Sequence, residues 1–215
     1  MKTLNNAITG EGLGKLRSLL GNKLISYSHE PFDPRHQPAN DFLMRVGLTC
    51  SNGRFVLDNR VDWEDDWFCS PDYTPHLIFE KIDNKDQFTT FSGFSLSKFE
   101  NYPVNETILD IILVQDEILV SKNKAPHETI TSTEGVVLVT DKRQYAFYKE
   151  NTWLDETVLE FKGHEVLSKI QPIEIHWKVF AKPYDGFITR KFIYLSANKE
   201  EVVSEALIIG DVIDD

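Results

Sequence analysis

Residues 42–58 read FLMRVGLTC-SNG-RFVLD, two apolar runs parted by Ser51-Asn52-Gly53. Asparagine and glycine accept the positive φ of a tight hairpin turn, and the runs on either side supply the strands. This grammar recurs along the chain and limits the fold more than any other feature. GVVLVT and QYAFYK flank Asp141-Lys142 as a second hairpin. ETILDIILV and EILVSKN flank Gln115-Asp116; their isoleucines and valines favour strands, with a helix across 106–114 as the alternative. PIEIHWKVF alternates, with Ile173, Ile175, Trp177 and Val179 on one face and Glu174, His176 and Lys178 on the other, as in a strand with one wet face. AKPYDG then supplies turn residues, so FITRKFIYLS is its expected hairpin partner.

Helical spacing is scarce. LGKLRSLLGNKL sets Leu13, Leu16, Leu19, Leu20 and Leu24 on one stripe, with Gly21-Asn22 as the stop. NKEEVVSEAL, near the C-terminus, is the second helix candidate.

The chain also looks like itself. Moving Leu48–Asp66 forward by 90 residues sets Leu48 on Leu138, Phe55 on Tyr145, Leu57 on Phe147, Trp63 on Trp153, Asp65 on Asp155 and Asp66 on Glu156. HLIFEKI (76–82) meets HEVLSKI (164–170) at a shift of 88, and NKLISYS and DEILVSK each precede their hairpin as one short strand. The predicted fold is therefore α+β, mainly antiparallel β, built of two structurally related halves with few short helices. Residues 1–105 form the first β-rich unit, with an N-terminal helix and an aromatic connector. Residues 106–215 form the second. The connector, residues 86–103, carries four phenylalanines and is expected to pack against both units as one integrated body. HEPFDPRHQPAND and KNKAPHETITSTEG read as long irregular loops, one in each half.

Duplication makes the shared indole–carboxylate pattern scaffold. Asp62, Glu64 and Trp67 have no counterpart, because Thr152 and Leu154 stand opposite the two acids. The surplus singles out Asp62, Glu64, Asp65, Asp66 and Trp67 as the partner-binding candidates. Trp67, which follows acids and lacks a repeat partner, is their anchor.

Charge narrows the partners. Twenty-three basic residues against 34 acidic give −11, a surface that repels phosphate, so no nucleic acid is expected; a basic protein is attracted instead. With 41% hydrophobic and 12% aromatic residues the chain has material for a full core. The N-terminal residues lack the pattern of a secretory signal, and no apolar run approaches the roughly 18 residues of a membrane helix. The expectation is a cytoplasmic protein with no membrane association. Of two cysteines, Cys50 lies in an apolar run and reads as a small core residue.

No catalytic signature appears. There is no G-x-S-x-G elbow, no H-E-x-x-H and no cysteine-protease pattern. TGEGLG (9–14) is glycine-rich, but no strand is expected before it and no Lys-Ser/Thr follows, so it reads as a flexible approach to the helix. His29, Asp33 and His36 are zinc-type ligands, yet Pro31 and Pro34 deny them one helical face, and the reading is a solvated loop. DWEDD lacks the alternating order of a calcium loop. No catalytic residue, metal site or cofactor is assigned. His76 and His164, at matching repeat positions, read as packing or capping residues.

In composition the chain resembles bacterial immunity and antitoxin proteins, being small, acidic and strand-rich; no motif carries the likeness. The function expected is a non-enzymatic acidic protein-binding module acting on a basic partner, with an inhibitor of the immunity or antitoxin type as the form the resemblance implies. The alternative is a small-molecule-binding protein or enzyme with a cleft between the halves and the 29–40 loop as its lid.

Overall fold

The computed structural model describes residues 2–29, 42–43, 45–60, 76–83, 100–149, 158–170 and 184–209. The strands are β1 (Lys2–Asn6), β2 (Lys23–His29), β3 (Phe42–Leu43), β4 (Arg45–Cys50), β5 (Gly53–Arg60), β6 (His76–Ile82), β7 (Glu100–Lys122), β8 (Ala125–Thr140), β9 (Gln144–Lys149), β10 (Val158–Gly163), β11 (Tyr184–Tyr194) and β12 (Lys199–Ile209). The two short helices are α1 (Gly10–Arg17) and α2 (Val166–Ile170). Among the described residues the fold is mainly antiparallel β, as expected.

Two meanders join edge to edge. The sheet runs β6-β5-β4-β2-β7-β8-β9-β10-β3, so β2-β4-β5-β6 and β7-β8-β9-β10 join along β2 and β7. The hairpins predicted around residues 51–53 and 141–142 form. In β4–β5, Val46 faces Leu57 and Leu48 faces Phe55; in β8–β9, Val136 faces Phe147 and Leu138 faces Tyr145. A shift of 90 residues carries one register onto the other, and all eight side chains enter one core. Farther out the correspondence changes. Residues 76–82 are strand β6, whereas 164–170 hold α2; the strand that follows the second hairpin in the sheet is β10.

Several expectations need correction. ETILDIILV and EILVSKN are parts of one 23-residue strand with no turn at Gln115-Asp116. Their near-continuous apolar reading follows from burial on both faces: Ile111 and Leu113 enter the core shared with α1, while Ile112 and Val114 enter a second core capped by α2. The turn comes later, at Asn123-Lys124, where φ values of 52° and 66° suit the tight two-residue turn between Lys122 and Ala125. Residues 122–135, expected as an irregular loop, are thus that turn and the first half of β8. NKEEVVSEAL is strand, not helix, because β12 pairs with β11 along its whole length. β11 in turn has β7 on its other edge, and residues 172–180, its expected hairpin partner, lie outside the described residues. The first hairpin closes through Ser51-Asn52, and only Gly53 (φ 144°) takes positive φ there, so Asn-Gly is displaced by one residue from the expected turn. TGEGLG follows strand β1, which was not expected, and its last five residues lie within α1.

The N-terminal helix is shorter than its stripe, ending at Arg17, with Gly21 at φ 75° before β2. Leu16, Leu19 and Leu24 are buried in the main core, and Leu13 and Leu20 pack against it. Cys50 joins this core, and burial pushes its thiol up to about 12. No helix among the described residues is long and apolar enough to cross a membrane.

Gly135 makes the crossing of β8 and β9 work. It lies beside a bulge, where Val114 pairs with Gly135 and Gln115 with Thr133, leaving Glu134 as the extra residue. A Cβ at Gly135 would stand 2.9 Å from Tyr148 Cδ2, 3.0 Å from the Phe147 carbonyl oxygen and 3.2 Å from Tyr148 Cα. Backbone cannot swing aside as a side-chain tip does, so Gly135→Ala is expected to cost about 1–3 kcal/mol in urea unfolding. Gly14→Ala, on exposed helix with nothing within 4 Å, is expected to stabilise by about 0.4–1 kcal/mol. Equal effects at the two positions would refute the close-approach role of Gly135.

Candidate functional site

The acidic segment singled out in the sequence, Asp62, Glu64, Asp65, Asp66 and Trp67, lies outside the described residues, as do Trp63, Trp153, Trp177, Asp33, His36 and the connector over 86–99. His29 is described. It ends β2 at 2% exposure, on a strand facing inward and not on a solvated loop. His76 opens β6, while His164 sits between β10 and α2, so the two recurring histidines have different settings. Among the described residues no group of three His, Cys, Asp or Glu side chains is placed to hold a metal.

Three arrangements stand out. The first fills the seam between the meanders. Tyr27 stacks on Tyr102 at 5.1 Å and meets Tyr145 and Phe147 edge-on, each at 5.8 Å. Its hydroxyl donates to Glu160 Oε1 at 2.5 Å, and His29 Nε2 lies 3.7 Å from Glu160 Oε2. Burial, then the carboxylate beside it, holds the Tyr27 phenol far above its usual range. Since β2 and β10 are four strands apart in the sheet order, this contact requires the sheet to curl. Its members pack on one another, as a structural joint does.

The second is a buried ionic group on β7, β8, β9 and β11. Arg190 donates through Nε to Asp116 Oδ1 at 2.7 Å and through Nη2 to Oδ2 at 2.5 Å; Nη1 reaches the Ile170 carbonyl at 3.1 Å. The guanidinium also lies over the Tyr148 ring at 5.3 Å. Lys149 Nζ, fully buried, is 3.4 Å from Glu134 Oε1 and 3.3 Å from Ser132 Oγ. The shifts oppose one another. Burial, reinforced by Glu134, pushes Asp116 up to about 6 although Arg190 draws it down. Burial would lower Arg190, but the hydrogen bonds and charge of Asp116 outweigh that and raise it. Both groups are buried, and for the Asp116 carboxyl desolvation outweighs the opposing guanidinium.

The third arrangement faces solvent. Register places Leu207, Phe187, Leu119 and Thr129 in one row across β12, β11, β7 and β8. Leu207 is 66% exposed, Phe187 40% and Leu119 38%, an apolar row left open to water. Alternation puts Thr189 and Lys191 on the same face as Phe187, opposite Glu117 and Gln115 on β7. Lys191 Nζ bridges Glu117 Oε1 at 2.7 Å and Glu200 Oε1 at 2.9 Å. Those hydrogen bonds raise the Lys191 ammonium above its usual range. Glu205 pairs with Thr189, and Asp185 lies two residues before Phe187. Among the described residues four carboxylates thus frame the row, two of them holding the Lys191 ammonium.

Phe187 lies on a predicted strand, but nothing local sets it beside Leu119 and Leu207, which lie 68 and 20 residues away (187 − 119; 207 − 187). Only strand register brings them together. No family model matches the chain, and no curated protein or solved structure matches it.

Proposed function

We propose that this chain is a non-enzymatic binding module that engages a basic protein partner, in the manner of an immunity or antitoxin protein. The observation that carries the reading is the open Leu119–Phe187–Leu207 row inside its frame of Asp185, Glu117, Glu200 and Glu205. An apolar centre supplies desolvation on docking, while like-charged surroundings speed encounter with an opposite surface and reject acidic ones. The −11 charge acts in the same sense at long range. Asp62, Glu64, Asp65, Asp66 and Trp67 belong to the proposal as a second acidic element with an indole anchor.

Capture from the native cell tests it. The wild-type chain is expected to retain a basic protein at low salt, release it at high salt and lose it on Phe187→Lys or Leu207→Lys. Recovery of no basic protein, or retention that ignores both substitutions, refutes the reading.

We propose further that the two meanders arose by duplication of one unit, supported by the common register of their hairpins and the single core they feed. Replacing residues 45–60 with residues 135–150 is expected to preserve cooperative unfolding. A chimera that loses cooperativity while the reverse exchange also fails speaks against common origin.

A further inference from the structure

Lys191 occupies a place that a partner is built to take. It is 15% exposed at the side chain and held between two carboxylates from different strands, Glu117 on β7 and Glu200 on β12, which are 42% and 51% exposed. Two carboxylates facing one cation repel each other when that cation is removed, and the pair then demands another. Phe187 lies on the same strand and face, four residues away, so a cation in this place and the apolar row are roughly 13 Å apart on one face, within reach of a single extended segment.

We infer that the partner presents a basic amphipathic segment to this face, its apolar side chain on the Leu119–Phe187–Leu207 row and its cation competing with Lys191 for Glu117 and Glu200. The inference rests on the protein-binding reading and assigns that site its ligand chemistry: a cationic and an apolar residue on the same face of an extended segment, an even number of positions apart. Lys191 is then an internal competitor that weakens binding and sets its specificity. A second copy of this chain is a poor occupant, because the face would meet its own Glu117, Glu200 and Glu205.

A general loss of positive charge also strengthens binding of cations, so the control must change charge equally elsewhere. Lys199 serves. It pairs with Glu201 at 2.9 Å and lies over the Tyr194 ring at 5.5 Å; register sets Lys199 opposite Tyr194, on the other face of the sheet from Lys191.

The probe is a labelled nonapeptide with leucine and lysine four positions apart, on one face of an extended strand, and serine elsewhere, its binding followed by fluorescence anisotropy, with melting temperatures first matched across variants. Lys191→Met is expected to tighten binding about three- to fivefold at low salt and Lys199→Met less than about twofold, the scale of one exposed ion pair. Lys191→Arg keeps the bridge and is expected to bind as wild type does. Phe187→Ser is expected to weaken binding at least about tenfold. Equal gains from Lys191→Met and Lys199→Met overturn the competitor role while leaving the basic-partner reading intact. No salt-sensitive binding by wild type and Lys191→Met alike overturns the inference whole, and the protein-binding reading then stands or falls on native capture.

Discussion

Arg190→Met is expected to destabilise the fold by about 3–5 kcal/mol, because it strands the Asp116 carboxylate in a site where it is 1% exposed. The loss is larger than the pair is worth. Both charges left water to form it, and desolvation offsets most of their attraction. Asp116→Leu combined with Arg190→Met should therefore recover most of the stability lost in the single variant. Urea midpoints for the two singles and the double give the coupling. A double variant as unstable as the worse single would refute this balance of attraction against desolvation.

The same pair carries a pH signature. The folded carboxyl titrates at about 6 and the unfolded one near the ordinary 3.8, so between those values the folded chain holds more protons. Stability from this group is accordingly greatest below about 4 and is lost as pH rises through the raised folded value. The direction is opposite to that of a carboxylate stabilised by a surface ion pair. Asp116→Asn should remove this part of the slope. A stability curve whose slope is the same in wild type and Asp116→Asn would show that Asp116 does not carry it.

Phe147→Ala is expected to cost about 3–5 kcal/mol, the range for emptying a fully buried aromatic site. Its ring is 0% exposed and meets Tyr27 edge-on at 5.8 Å, where the two meanders join. The cavity falls at the seam, so both meanders should loosen together and the transition should stay single. Phe187→Ala provides the contrast. At 40% exposure it is expected to change stability by no more than about 0.5 kcal/mol while weakening the proposed partner contact. Similar stability losses at the two phenylalanines would undo the assignment of one to core and the other to a binding face.

Both hairpins were legible in the sequence because their determinants are local. Leu48 and Phe55, like Leu138 and Tyr145, are separated by one short turn, and alternation on each side fixes which residues share a face. The short α1 was legible for a related reason, its leucine stripe being set by helical pitch. Residues 198–207 misled because Glu200, Glu201 and Glu205 suit a helix, and hydrogen bonding to β11 overrode that weak preference. Proximity along the chain does not predict that β7 and β12 flank β11, because neither lies next to it in the hairpin grammar of residues 172–196. The candidate site was the least legible part, since its row joins side chains from three strands.

The sequence by itself determined that this chain makes antiparallel sheet with two matching hairpins, that it carries a −11 surface and that Cys50 is core. Those properties follow from composition and from residues within one turn of each other. Only the tertiary structure decided that β7 runs unbroken through both cores, that Asp116 meets Arg190, and that Phe187 stands between Leu119 and Leu207. Each of these depends on which strand edges meet. That choice is made by the whole chain competing to bury apolar surface while satisfying every backbone hydrogen bond, and no local stretch contains it.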